Sequence, residues 1–411
     1  MTSIEARLAA AGLPPLPRTA WLEIDLHALI ANLAAVRTIA GEGVPVHPVV
    51  KADAYGHGAV PVARALEEAG ADGFCVAALD EALALRAGGV RAPIRVLYPI
   101  PPALAGEAAA HGISVSAGDR GLLDELLESA MAGRRAGSQV ILRVELEVET
   151  GLGRGGFEPA VLAAAAHAVA ASEAAEMAGL WTHLQAPEDA STTRAQLDRF
   201  EAAARALRDA GLPLPARHLA ASAGLFTGLA AFDGVRPGLA IYGLLPDELD
   251  GAHLAALVVS AFRPVMSLRA RPVRVVELPI GHGVGYGPTF TTARPSRIAT
   301  LPLGYGDGYA RSLSNRGEAL VRGVRVPIVG NVAMDALMVD VTDVPGPPIS
   351  HHDEFVLLGD QAGERITAAE LARRRTTNTW EVVTQMAARL PRVYHAGPAA
   401  VGLRTLSAHR G

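Results

Sequence analysis

The spacing of apolar and polar residues divides the chain into two parts. From about residue 46 to 240, short β-type apolar runs alternate with Ala/Leu-rich stretches of helical spacing. We predict strands over residues 46–51, 73–77, 94–98, 113–116, 140–144, 177–183, 217–221 and 234–236. Because strands that alternate with helices indicate a parallel sheet, these eight units predict an α/β fold, a closed (β/α)8 TIM barrel.

Beyond about residue 255 the helical stretches thin out. Period-two runs at 267–277, 297–303, 319–329 and 336–341 are separated by Gly and Pro, which is typical of antiparallel β structure. We therefore predict an N-terminal barrel over residues 1–255 and a mainly antiparallel β C-terminal domain over residues 256–411. Thr367-Ala-Ala-Glu370 matches a capping box and predicts that a helix starts there.

Composition narrows the class of protein. Apolar residues make up 50% and charged residues 19% of the chain, as in a globular enzyme. The net charge of −5 gives no reason to expect nucleic acid as a partner. No stretch approaches the roughly 20 apolar residues of a membrane span, and Glu5 and Arg7 interrupt the place of a secretion signal. A single cysteine, Cys75, excludes an intrachain disulfide and a cysteine-based zinc site. We expect a cytoplasmic enzyme without a metal.

The chain has one lysine, Lys51. Lysine and arginine together number 37, so the other 36 basic residues are arginines. Arginine can replace an exposed lysine, but it cannot replace a reactive amine because its guanidinium does not deprotonate. The count alone leaves chance survival as open as catalysis. Lys51 ends the first predicted strand, and this end of a barrel carries active residues.

The segment Val-Val-Lys-Ala-Asp-Ala-Tyr-Gly-His-Gly around Lys51 resembles the lysine motif of fold-type III pyridoxal-phosphate enzymes, specifically alanine racemases. Further motifs follow in the family's order over nearly the whole chain. The resemblance implies that Lys51 forms a Schiff base with pyridoxal 5'-phosphate and that Tyr55 holds the cofactor phosphate. It also implies an amino-acid substrate and a head-to-tail homodimer with shared active sites.

The remaining barrel motifs acquire roles through the same resemblance. It implies that His183 lies near the cofactor ring and orients Arg236, which faces the pyridine nitrogen. Ser222 and the backbone amides of Gly238 and Leu239 would bind the phosphate. Because arginine only donates hydrogen bonds, the ring nitrogen would stay unprotonated, which favours racemisation over decarboxylation.

The glycine-rich segment 149–156 is a weak signal alone, but in the family the matching Arg154 reaches the cofactor's phenolic oxygen and the substrate carboxylate. Many relatives carry a carbamylated lysine seven residues before this arginine. The chain has Glu147 there, and we expect this glutamate to supply the anion directly.

In the C-terminal part, the resemblance makes Tyr286 the second acid/base, contributed to the neighbouring subunit's site. Tyr305 would stand at the site entrance, and Met334, beside Asp335, would contact the substrate carboxylate. One position departs from the family: Trp380 replaces a usual tyrosine near the cofactor phosphate. An indole has an N–H donor but no hydroxyl, so this change affects the size and polarity of the pocket.

The sequence thus predicts racemisation of L- and D-alanine by two bases, Lys51 and Tyr286, supplying D-alanine for cell-wall synthesis. Trp380 leaves a serine or broad-specificity racemase as an alternative. A fold-type III decarboxylase is less favoured because such enzymes carry a carboxylate where this chain has Arg236. A non-catalytic pyridoxal-phosphate carrier would resemble the barrel alone.

Overall fold

The computed structural model describes residues 3–229, 231–247, 249, 261–407 and 409–410. Its helices are α1 (Ile4–Ala10), α2 (Leu26–Ala40), α3 (Lys51–Tyr55), α4 (Ala59–Glu68), α5 (Leu79–Ala87), α6 (Ala105–Ala110), α7 (Arg120–Arg135), α8 (Pro159–Ala170), α9 (Ala190–Asp209), α10 (Ser222–Phe226), α11 (Ala368–Arg375) and α12 (Thr379–Thr384). Short 3₁₀ turns cover Pro102–Leu104, Leu239–Tyr242, Tyr305–Asp307 and Arg311–Leu313.

The strands follow the two-part division of the sequence. The first part contains β1 (Ala20–Asp25), β2 (Phe74–Val76), β3 (Ile94–Val96), β4 (Ile113–Ala117), β5 (Leu142–Glu147), β6 (Ala175–Trp181) and β7 (Ala216–His218). The second part contains β8 (Met266–Ala270), β9 (Arg274–Leu278), β10 (Ser296–Leu301), β11 (Glu318–Val321), β12 (Val324–Pro327), β13 (Leu337–Asp340), β14 (Phe355–Gln361), β15 (Glu364–Ile366), β16 (Arg392–Ala396), β17 (Ala399–Arg404) and β18 (His409–Arg410).

The predicted barrel is confirmed. Strands β2 to β7 form a parallel sheet in sequence order. The first and eighth predicted strands are not regular strands, but parallel bridges join Val49 to Cys75 and Val46 to Val235. The Arg236 N–H donates to the Ala220 carbonyl at 2.8 Å and links the eighth position back to the seventh. The ring of eight positions is therefore closed.

The second part is a mainly antiparallel β domain, as expected. One sheet of nine strands has the order β12-β11-β14-β8-β1-β16-β17-β18 with β15 beside β14, and a smaller sheet has the order β13-β10-β9. Strand β1 comes from the first part of the chain, yet it lies between β8 (antiparallel) and β16 (parallel). The predicted boundary at residues 255 and 256 falls outside the described residues and stays a prediction.

One connected apolar core spans both parts and contains, for example, Val49 of the barrel and Leu268 of the large sheet. The predicted helix start at Thr367 is observed: its hydroxyl accepts the Glu370 N–H at 3.0 Å and caps α11. None of the described helices combines the length and apolar character that crossing a bilayer requires.

Candidate active site

A cavity of about 430 Å³ opens where the barrel strands end at their carboxyl side. Pockets of this kind at the C-terminal face of a barrel are its usual active sites. Eight of the residues predicted for the site line it: Lys51, Tyr55, His183, Ser222, Arg236, Gly238, Leu239 and Trp380. The structure therefore gathers these eight residues around the only lysine, whereas Arg154 is not among the described residues that line the cavity.

The segment that carries Lys51 has an unusual backbone. After Lys51, four consecutive residues from Ala52 to Tyr55 adopt left-handed helical torsions, with φ between 51° and 55°. Such torsions cost about 1–2 kcal/mol for each L-residue, so the surroundings must hold this turn in place. The Glu81 carboxylate does so at one end, where it accepts the Ala52 N–H at 2.6 Å.

The large sheet holds the other side of the lysine turn. On β17, Arg404 contacts both carboxylate oxygens of Asp53 at 2.7 Å. On β16, the buried Arg392 donates to the Gly56 carbonyl at 2.9 Å and Tyr394 donates to the His57 carbonyl at 3.2 Å. The second domain thus fixes the turn that places the Lys51 amine, a role for Asp53 and Arg404 that sequence reasoning missed.

The electrostatic surroundings favour the neutral form of the Lys51 amine. Burial lowers the pKa of this amine, and the positive charges of Arg154 and Arg236 lower it further. The nearby Glu81 carboxylate acts in the opposite direction but does not reverse the shift. A neutral amine is the form that attacks carbonyl carbon and accepts protons.

An anion cradle lies beside the lysine turn. The buried Ser222 hydroxyl accepts the Gly238 N–H at 3.0 Å and the Ala240 N–H at 3.2 Å. A Cβ on Gly238 would lie 2.6 Å from the Tyr55 hydroxyl oxygen, so only glycine fits there. Burial raises the pKa of Tyr55, which keeps its hydroxyl protonated as a donor. The Ser222 and Tyr55 hydroxyls thus both lie next to Gly238, whereas the Gly238 amide, predicted to bind phosphate, donates to Ser222.

Arg236 is held by a buried chain of polar side chains inside the barrel. It contacts the ring of His218 and donates to the Thr182 carbonyl at 3.0 Å. His218 contacts Glu145 at 2.7 Å, and Glu145 contacts Arg95 at 2.6 Å. The histidine in contact with Arg236 is therefore His218, whereas the sequence-based expectation named His183.

The charges along this chain are well defined. Burial lowers the pKa of Arg236 to about 10, which leaves the guanidinium charged, and lowers the pKa of His218 to about 4. Burial raises the pKa of Glu145, but His218 and Arg95 lower it more, so the carboxylate is ionised. The neutral ring of His218 thus donates to Glu145 and accepts from Arg236. The sequence signal that could have identified Glu145 and His218 was the alternation of side chains along β5 and β7, which turns both residues into the barrel.

Arg154 and Glu147 lie together at the rim of the site. Their side chains form an ion pair of 3.5 Å, and Arg154 also lies over the ring of Tyr98. Burial raises the pKa of Glu147, whereas Arg154 lowers it in part. The structure places this carboxylate beside the arginine at the end of β5, where the sequence analysis expected an anion.

The four predicted residues of the second domain form a separate group. Tyr286, Tyr305 and Met334 are large exposed side chains, and Tyr286 is 81% exposed. None of them, nor Asp335, lines the cavity around Lys51 within the described part of the chain. The Tyr305 N–H donates to the Ala333 carbonyl at 3.0 Å, which keeps Tyr305 next to the Met334 loop. In the structure these four residues therefore lie apart from the Lys51 cavity.

Trp380 closes the wall of the cavity next to the lysine turn. It lies on α12, whose Val383 carbonyl would be 2.3 Å from a Cβ on Gly56. Helix α12 therefore packs directly on the turn. The half-buried indole occupies the place where the family resemblance leads one to expect a tyrosine.

Comparison with known proteins agrees with this geometry. The family model "Alanine racemase, N-terminal domain" matches residues 24–246, and "Alanine racemase, C-terminal domain" matches residues 265–394. The alanine racemase of Symbiobacterium thermophilum is 43% identical over 380 residues, covering 92% of this chain and 97% of the relative.

Two solved structures show the same architecture. Bacillus anthracis alanine racemase with bound L-Ala-P has a TM-score of 0.85 and 31% identity, and covers 95% of this chain and 98% of its own. Histidine racemase from Leuconostoc mesenteroides has a TM-score of 0.82 and 28% identity, and the match covers 93% of this chain and 99% of the histidine racemase. Since two family models match most of the chain and a relative at 43% identity spans 92% of it, the protein belongs to the alanine racemase family.

Proposed function

We propose that the protein racemises L- and D-alanine with pyridoxal 5'-phosphate and supplies D-alanine for cell-wall synthesis. The observation that carries the proposal is the single lysine, Lys51, which shares one cavity with Arg236 and the Ser222–Gly238 cradle. The curated relatives named alanine racemase support alanine as the substrate.

The cavity fits this cofactor. The Ser222 and Tyr55 hydroxyls would hold its phosphate, and Arg236 would face its ring nitrogen. When bound, pyridoxal phosphate withdraws electrons from the substrate's Cα and acidifies its C–H bond. Family members use this cofactor.

Lys51 and Tyr286 would serve as the two bases. In its neutral form the Lys51 amine would accept the Cα proton on one face, and the Tyr286 hydroxyl would supply a proton on the other. Two bases on opposite faces invert the configuration without turning the substrate over. Arg236 holds a permanent positive charge by the ring and favours rapid return of the proton, which suits racemisation rather than decarboxylation.

Arg154 and Glu147 would position the substrate. Arg154 would bind the substrate carboxylate, and the Glu147 carboxylate would hold the arginine in place. Tyr305, Met334 and Asp335, which belong to the second domain like Tyr286, would complete the entrance. We expect Glu147→Gln to raise KM for alanine at least threefold with the cofactor still bound, whereas unchanged kinetics would show that Glu147 has no such role.

We infer that Tyr286 enters the Lys51 cavity of another copy of the chain. Its 81% exposure and its place outside the cavity support a homodimer in which each site combines the Lys51 half of one protomer with the Tyr286 half of its partner. In a dimer with two such shared sites, a twofold axis relates the protomers, and the first domain of each faces the second domain of its partner.

The alternative is a serine or broad-specificity racemase, because Trp380 lines the pocket and a relative of the same fold is a histidine racemase. A racemisation assay over a panel of amino acids in deuterated water decides between them. We expect alanine to have the highest kcat/KM, with deuterium at Cα of both enantiomers. Faster turnover of serine would support the alternative, and carbon dioxide release would contradict racemisation.

A further inference from the structure

The opposite end of the barrel holds a second, basic pocket. It has a volume of about 770 Å³, within the range that accepts small organic ligands. Arg86, Arg91, Arg95 and Arg143 line it together with His47, and no carboxylate is among its described lining residues. It lies where the strands begin, at the end of the barrel opposite to the Lys51 cavity.

The pocket is built on the register of the sheet. The second residues of β3, β4 and β5 are Arg95, Ser114 and Arg143, respectively. They are direct neighbours across the parallel strand pairs. Barrel interiors are normally filled by layers of branched apolar side chains. Polar and cationic residues take the place of that apolar packing at this level.

Two buried polar atoms of residues that line the pocket have no hydrogen-bond partner in the described part of the chain. One is Nδ1 of His47, a residue only 6% exposed, and the other is Nη1 of Arg95. Leaving such a group unsatisfied costs about 1–3 kcal/mol, more for a charged one. Arg95 uses its Nε on Glu145, and its buried Nη1 has no acceptor among the described residues.

The charges of the pocket are only partly compensated. Glu145 pairs with Arg95 and Glu176 pairs with Arg143 at 3.1 Å. Arg86 donates instead to backbone carbonyls, those of His111 at 3.0 Å, Val90 at 2.9 Å and Ala92 at 2.8 Å.

The carboxylate nearest to Arg86 is Glu67, which accepts the Arg91 and Ala92 N–H groups at 2.9 and 2.6 Å. The Arg91 guanidinium has no ion-pair partner among the residues that the structure describes. An excess of positive charge therefore faces the pocket.

We propose that this basic pocket binds a small molecule bearing phosphate groups. Arg91, Arg95 and Arg143 each carry a permanent positive charge and several N–H donors, which is the chemistry that binds phosphate oxygens. The volume exceeds that of a single phosphate, so the group belongs to a larger ligand or a polyphosphate. The site is distinct from the cofactor cradle at Ser222.

Pyrophosphate is the probe that tests the site. It is titrated calorimetrically into the holoenzyme at constant ionic strength, with the cofactor already in the cradle. We expect one pyrophosphate per chain, and about tenfold weaker binding for Arg91→Gln and for Arg143→Gln, since each loses a charge-assisted hydrogen bond. Arg120→Gln is the matched control, because Arg120 pairs with Asp124 at 2.9 Å on the surface of α7.

Three results would overturn the proposal. The first is no saturable binding up to about 10 mM pyrophosphate, a limit far above the range of a specific site. The second is binding that Ser222→Ala abolishes while both pocket variants retain it, which assigns the anion to the cofactor cradle. The third is equally tight binding of citrate, which contradicts the choice of phosphate. Racemase activity is not the readout, so the outcome is independent of the proposed function.

Discussion

The proposal that Tyr286 serves the Lys51 cavity of a partner subunit can be tested by mixing variants. Tyr286 is 81% exposed and lies outside the Lys51 cavity. Lys51→Ala and Tyr286→Phe each remove one proton-transfer group, so each homodimer should retain about 1% of the activity or less. In a mixed dimer of the two variants, one site has lost both groups and the other has both intact.

The expected magnitude follows from counting sites. Mixed dimers purified through two different affinity tags should regain about half of the wild-type activity per dimer, and an unsorted mixture about one quarter. The matched control pairs a wild-type chain with a chain carrying both substitutions, where every site lacks one group and activity should be absent. If this control is half active and the first mixture inactive, both bases come from one chain and the shared-site reasoning fails.

Three further predictions concern the cavity and the lysine turn. Lys51→Arg should abolish the visible absorbance of bound cofactor, because a guanidinium cannot form the imine; retained absorbance would contradict the assignment. Gly238→Ala should weaken cofactor binding about tenfold or more in a spectroscopic titration, since its Cβ would lie 2.6 Å from the Tyr55 hydroxyl oxygen. His57 is buried, and burial lowers its pKa from 6.5 to about 4. Below pH 6.5 the unfolded state therefore takes up more protons than the folded state. The stability that depends on a neutral His57 ring is complete above pH 6.5 and is lost as the pH falls towards 4. Urea unfolding should show a loss of about 2 kcal/mol from this group between pH 7 and 5, and His57→Gln should reduce the pH dependence by that amount.

The barrel and its site were predictable as far as local pattern reaches. The alternation of strands and helices predicts which residues stand at strand ends, so Lys51 and Arg236 were placed correctly in one cavity. The contact of His218 with Glu145 joins residues 73 positions apart, and only the register of β5 to β7 brings them together.

The contact of Asp53 with Arg404, which holds the lysine turn, was harder to predict from the sequence. Asp53 and Arg404 are separated by 351 positions and belong to different parts of the fold. The local sequence does not predict the left-handed turn either, because residues such as Ala52 and Ala54 favour right-handed helices when nothing outside the segment holds them.

The position of β1 limits how the two parts can be recombined. Because Ala20–Asp25 lies between β8 and β16, a chimera joined near residues 250–260 would insert a foreign strand into the middle of the large sheet. Without a matching strand, two rows of backbone donors and acceptors would lose their partners. A functional hybrid must therefore take its first 25 residues from the same parent as its second domain, although these residues come first in the chain.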